Sequence, residues 1–217
     1  MTCIIVLGMH RSGTSLVAGI CQKLGAHMGE YFRIGDESNP DGYFEDLDWR
    51  AMNKWIINAA GGTWYDPPSA LETTVHAMRL RPIIESLIKT KSRFDPWGFK
   101  DPRTCLTARG LYRIIPDLKF VVVRRPELEI VESLKKRSIK RGYHEPDNHW
   151  RALVALYNTQ VDRLLAEPSV VYHEIEYNNL INRSIVEDEI FKLADFLCLP
   201  WANEPAALKL VRFKDES

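Results

Sequence analysis

Residues 2–25 restrict the fold more than anything that follows them. Thr2 to Leu7 is a short, β-branched and almost wholly apolar run, the pattern of a parallel strand buried on both faces. It leads directly into Gly8-Met9-His10-Arg11-Ser12-Gly13-Thr14-Ser15. Leu16, Val17, Ile20, Cys21 and Leu24 then fall on one helical stripe, which Gly25 is placed to end. A strand that passes through a glycine-bounded loop into a helix is an anion site in the making. The first N–H groups of a helix have no internal partner and carry the positive end of its dipole. Gly8 and Gly13 have the G-x-x-x-x-G spacing of a phosphate loop, and Ser12, Thr14 and Ser15 add hydroxyl donors. Thr14, however, stands where such loops carry lysine, and the cation has moved to Arg11.

Further along, strand-like and helix-like patterns alternate without internal repeats, which predicts a parallel sheet covered by helices. Short strands are expected around Trp97 to Phe99, Asp117 to Arg125 and Ser169 to Tyr177. Glu45, after the turn signal Asn39-Pro40-Asp41-Gly42, is expected to open a helix whose apolar stripe is Phe44, Leu47, Ala51 and Trp55. Ser69 to Ser92 reads as one helix bent near Pro82. Asp147 to Leu165 reads as a helix with Trp150, Leu153, Tyr157, Val161 and Leu164 on its buried face. Trp64 and Tyr65 read as packing residues, with stacking on a bound ring as the alternative.

Lys+Arg and Asp+Glu both number 29, so no global positive field recruits nucleic acid or an anionic membrane, and any anion site must be local. Cys3, Cys21, Cys105 and Cys198 lack C-x-x-C spacing and read as reduced thiols in a cytoplasmic protein. No membrane span and no secretion signal are expected. The six histidines share no spacing suited to a metal. His10, inside the loop, is the one placed to touch a bound anion.

The segment Asp117 to Arg125, "DLKFVVVRR", ends in arginines where a nucleoside-triphosphate enzyme would place a magnesium-holding Asp. It is therefore suited to a second, metal-free phosphate group. Together the two segments resemble the sulfotransferases that use 3′-phosphoadenosine 5′-phosphosulfate (PAPS). The loop from Gly8 to Ser15 resembles their 5′-phosphosulfate loop, with Arg11 where many members carry Lys, and "VVVRRPELEIVESL" resembles their 3′-phosphate motif. Arg125 and Ser133 keep that motif's eight-residue spacing, whereas an Arg-x-Pro pattern would select Arg124. Both arginines stay candidates, pointing to opposite faces of the strand. "SNPDGYFED" and "WGFKDPRTCL" resemble further segments of bacterial members, and Tyr177 matches the tyrosine that packs beside the adenine. Asn178 and Asn179 replace the acids of that last motif.

The resemblance implies an α/β, P-loop-like three-layer domain with a short, mainly parallel sheet flanked by helices, spanning residues 1–217 as one unit. It implies PAPS as sulfonate donor, 3′-phosphoadenosine 5′-phosphate (PAP) as product, no metal, and a glycan or small-metabolite hydroxyl as acceptor. Such chemistry needs a carboxylate to take the acceptor's proton and cations for the leaving phosphate. Glu45 is the first candidate for the base and Asp101 the second. Lys100 and Arg11 are the candidate cations, and Arg103 either meets phosphate or caps the next helix. The loop residues His10, Arg11, Ser12, Gly13, Thr14 and Ser15, with Arg124 or Arg125, Ser133 and Tyr177, are the expected donor-binding set. A kinase with a divergent loop and a PAPS-binding protein without turnover are the competing readings. Nothing in the sequence fixes the oligomeric state.

Overall fold

The computed structural model describes residues 1–32, 42–140, 142 and 144–213. Ser38 to Asp41, which hold most of the expected Asn-Pro-Asp-Gly turn, lie outside the described residues. Four parallel strands, β1 (Cys3–Leu7), β2 (Trp97–Lys100), β3 (Leu118–Arg124) and β4 (Val171–Glu176), form a sheet in the order β2-β1-β3-β4. β1 is central because it pairs on both sides, Val6 opposite Lys100 and Leu7 opposite Val122.

Strand alternation divides the core into two layers. Cys3, Ile5, Leu7, Trp97, Phe99, Phe120 and Val122 face one way. They pack against α2 (Leu47–Ala59), α5 (Thr104–Tyr112), α6 (Glu127–Lys140) and α7 (Asp147–Leu165). Ile4, Val6, Val121, Val123 and Ile175 face the other way, against α1 (Thr14–Leu24), α8 (Tyr177–Leu180), α9 (Val186–Leu197) and α10 (Glu204–Leu208). The result is a P-loop-like α/β domain in three layers. In such sheets the cleft lies beyond the carboxyl ends of the strands, where the chain order reverses, and here that point is the end of β1.

The stripe expected for α7 is buried at all five positions. That of α2 is not: Leu47 is 43% and Trp55 49% exposed, while Trp49, Met52, Asn53, Ile56 and Ile57 are buried. The reason is local. The helix begins after Asp46, whose side chain accepts the N–H groups of Asp48 and Trp49, and Phe44 precedes it with φ of 48°. From that start, the i, i+3, i+4, i+7, i+8 series beginning at Trp49 faces the sheet. The expected single bent helix is two, α3 (Ala70–Arg79) and α4 (Arg81–Lys91), with Pro82 in the first turn of the second. All four cysteines are free, and only Cys198 is exposed. Among the described residues no helix is long and apolar enough to cross a membrane.

Candidate active site

The loop between β1 and α1 is shaped by backbone, not by side-chain caps. Arg11 (φ 72°) and Gly13 (φ 96°) are both left-handed, and no side chain caps α1. A Cβ on Gly13 would collide with the Tyr177 ring, and one on Gly8 would come within 2.9 Å of the Val123 carbonyl. The loop therefore needs glycine at both ends. Ser12 is buried and donates its hydroxyl to the Met9 carbonyl at 2.7 Å. It braces the loop from behind, while Gly13, Thr14 and Ser15 line a cavity of about 360 Å³ at the helix N-terminus.

That cavity also takes in His10, Arg11, Glu45, Arg50, Lys100, Arg103, Arg125, Arg137 and Tyr177. Six arginine and lysine side chains thus line the cavity, and among the described residues Glu45 is the one carboxylate in the lining. Arg11 donates Nε–H to Ser133 Oγ at 2.9 Å, so the serine reaches the site through the arginine. Arg125 donates to the Arg11 carbonyl at 2.9 Å and to Glu129 at 2.9 Å. Its guanidinium lies 4.5 Å from the centre of the Tyr177 ring. Arg124 points elsewhere, paired with Asp162 at 2.6 Å and Glu174 at 2.8 Å on the other side of the strand end. The structure brings Arg125, not Arg124, into the cavity.

Lys100, at the carboxyl end of β2, is buried and donates to Ser15 Oγ at 3.1 Å, with Glu45 Oε1 at 3.5 Å. Burial lowers its pKa below the ordinary lysine value, with the Glu45 and Asp101 charges pulling against that. Glu45 is buried and also faces Arg50, Oε2 to Nε 3.5 Å. Asp101 is buried behind the cavity wall. One oxygen accepts the Arg103 guanidinium at 2.7 Å and the Arg103 N–H at 3.1 Å; the other accepts from Asn53 at 3.1 Å. Asn53 is held in turn by Thr104 and Thr107, at 2.8 and 2.6 Å. Burial raises the Asp101 pKa despite the adjacent arginine. The carboxylate in the cavity is Glu45; Asp101 orients Arg103.

Several contributors carried no motif. Asp46, next to Glu45, spends both carboxylate oxygens, capping α2 with one and accepting Lys91 Nζ at 3.0 Å and the Glu30 N–H at 3.2 Å with the other. Lys91, itself buried, reaches Asp48 as well at 2.7 Å. This clamp fixes the segment that presents Glu45. Arg50 and Arg137 were also unmarked in the sequence, although Arg137 lies four residues after Ser133 and shares its helix face. Trp64 forms a wall of the cavity with its ring 4.7 Å from that of His10 and Arg137 5.6 Å over it. Among the described residues no group of three or more His, Cys, Asp or Glu side chains is arranged to hold a metal ion.

The model of the sulfotransferase family matches residues 3–203, and the chain belongs to that family. It is 25% identical over 208 residues to a provisionally named protein-tyrosine sulfotransferase of Caenorhabditis briggsae, a match covering 93% of this chain and 67% of that protein. Sulfotransferase STF9 of Mycobacterium avium shares the fold with a TM-score of 0.50 at 15% identity, over 95% of this chain and 66% of that one. Shikimate kinase of Bacteroides thetaiotaomicron gives a TM-score of 0.47 at 14% identity, over 91% and 99% of the respective chains.

Proposed function

We propose that the chain transfers a sulfonate group from PAPS to a hydroxyl of a glycan or small metabolite, acting as one domain in the cytoplasm. The observation that carries this reading is the convergence of Arg11, Lys100 and Arg125 on the N-terminus of α1 around a single carboxylate. The donor set fits the nucleotide. Two phosphate-bearing ends need two cationic sites, and Arg11 and Arg125 supply them on adjoining elements, with the glycine loop admitting backbone donors to one end. PAPS, when bound, supplies an activated sulfonate on a phosphate leaving group.

The chain's own residues have four tasks. The loop and the first turn of α1 hold the 5′ end through N–H groups and the Thr14 and Ser15 hydroxyls. Arg125 and Ser133 hold the 3′-phosphate, Ser133 while also fixing Arg11, and Tyr177 flanks the base. Glu45 accepts the proton of the attacking hydroxyl. Lys100 and Arg11 place positive charge where it develops on the leaving oxygen, and Lys100, 3.5 Å from Glu45, helps hold that carboxylate in place.

Calorimetry and turnover test the reading together. PAP is expected to bind roughly 10²-fold more tightly than adenosine 5′-phosphate, since two charge-assisted contacts are each worth ~1.5–3 kcal/mol. Labelled PAPS with an acceptor panel is expected to yield a sulfated product identifiable by mass spectrometry, unchanged by chelator. Tighter binding of magnesium-ATP, or turnover lost to chelator and restored by magnesium, would overturn it in favour of a kinase. PAP binding without turnover on any acceptor would leave a binding protein.

A further inference from the structure

The donor reading fills one side of the main cavity, and this inference rests on it. With the loop, Arg125 and Tyr177 committed to the nucleotide, the hydroxyl that Glu45 deprotonates must arrive from the opposite side. There a second cavity of about 380 Å³ is lined by Arg50, Lys54, Ile57, Asn58, Thr63, Trp64 and Arg103. Arg50, Trp64 and Arg103 belong to both cavities, and no residue of the glycine loop belongs to the second. The branch therefore opens off the reacting end and leads away from the phosphates.

Among the described residues its wall has three cations and no carboxylate. The Arg103 side chain is only 12% exposed, and its one side-chain hydrogen bond goes to Asp101. A guanidinium carries five N–H donors, so among the described residues most of the fork has no protein acceptor while the Asp101–Asn53 network holds it still. Lys54 follows Arg50 by four residues on α2 and has no ion-pair partner among the described residues. Asp101 faces Arg103, but Glu45 is shared between Arg50 and Lys100, so with Lys54 the described part of this wall carries positive charge in excess. A neutral acceptor would cover these donors without matching them, whereas a carboxylate or sulfate would accept them in charge-assisted bonds. The rest of the lining suits a sugar ring. Trp64 presents aromatic surface beside amide and hydroxyl donors. Thr63 Oγ1 already accepts from the Tyr65 and Asp66 N–H groups at 3.2 and 2.9 Å, so its own O–H remains to donate.

We propose that Arg50, Lys54 and Arg103 form a subsite for the anionic substituent of an acidic sugar, with Trp64 against the ring. The acceptor is then a sugar bearing a carboxylate or sulfate beside its reacting hydroxyl. The test titrates the PAP-saturated full chain, by calorimetry, with a glucuronate-containing disaccharide and with the same disaccharide after reduction of its carboxylate to the alcohol. The acid is expected to bind at least about tenfold more tightly, by a margin that narrows as salt is added. Lys54→Gln is expected to cut the margin to about threefold or less while PAP affinity stays at the wild-type value, which verifies the fold. Arg103→Lys, which keeps the charge and loses the fork, is expected to weaken the acid as well. Equal affinity for the two disaccharides, an unchanged margin in Lys54→Gln, or preferential sulfation of an acidic tyrosine peptide would overturn the inference. Failure to bind PAP would overturn the donor reading with it, whereas tight PAP binding without acid preference would sink the acceptor subsite alone.

Discussion

The two halves of the cavity are built by different means. The half proposed for the donor is built around consecutive residues, a strand, a glycine loop and a helix start with left-handed backbone at Arg11 and Gly13, to which Arg125, Ser133 and Tyr177 are added from later elements. The acceptor half is made of side chains brought from far apart in the chain. Lys100 meets Glu45 across 55 residues and Lys91 meets Asp46 across 45, all four buried. Backbone geometry binds anions of a given size with little adjustment. Buried ion pairs are costly to desolvate and are tolerated where each charge is matched, so they fix side-chain position. Binding and reactivity should thus fail separately when the two halves are altered.

The sharpest break is expected at Glu45. Glu45→Gln should leave PAP affinity near the wild-type value while kcat falls by ~10²–10⁴, the usual worth of a general base. Full activity in that variant, measured with labelled PAPS, would rule out Glu45 as the base. On the donor side, Arg125→Ala should remove most of a roughly 10²-fold preference for PAP over adenosine 5′-phosphate. Arg124→Ala should leave that preference intact, because its partners Asp162 and Glu174 lie outside the cavity lining and are 60% and 44% exposed. Calorimetry with both nucleotides on both variants distinguishes the neighbouring arginines; loss of preference in Arg124→Ala instead would reverse the assignment.

The same contrast explains what could be read in the sequence. The layers of the sheet, the loop and the α7 face follow from local periodicity and from glycine at fixed spacing, and each is visible within about twenty residues. Strand alternation puts Arg124 and Arg125 on opposite faces, and the eight-residue spacing to Ser133 favours Arg125, the one that lines the cavity, although which face meets the cavity depends on the neighbouring strand. Opening α2 at Glu45 places its start two residues before Leu47, and the stripe through Leu47 and Trp55 falls on the exposed face; Asp46 as cap was the available signal. The clamp of Lys91 on Asp46 and the support of Asp101 by Asn53, Thr104 and Thr107 had no signal. A buried lysine or asparagine looks like a surface one until the partner is known.

Lys91 provides a milder test of the acceptor half. Lys91→Met should lower kcat by about tenfold with the donor KM unchanged, because removing a charged partner from the buried Asp46 loosens the Glu45 segment without touching the loop. Lys91→Arg should recover part of that loss. A variant whose kcat falls only in proportion to the unfolded fraction, followed by circular dichroism, would reduce the clamp to a stabilising role.

The smallest effect at neutral pH, and the finest discrimination, is expected from Lys100. Its pKa in the folded protein lies below the unperturbed 10.5, chiefly through burial. If its charge stabilises the leaving phosphate, kcat/KM should fall as pH rises through that lowered value, so the alkaline limb begins before the ordinary lysine range. Stability should move the other way. Between the folded and unfolded pKa values the unfolded chain binds more protons at this site, so its contribution to folding stability rises with pH across that window. Activity and stability attributable to one residue would then change in opposite directions in the same interval. Lys100→Arg, which stays protonated throughout, should move the alkaline limb upward and remove the stability rise, both taken as differences from wild type so that tyrosine and cysteine titrations cancel. A limb that keeps its position in Lys100→Arg would show that the alkaline loss belongs to another group and that Lys100 serves only to hold Glu45.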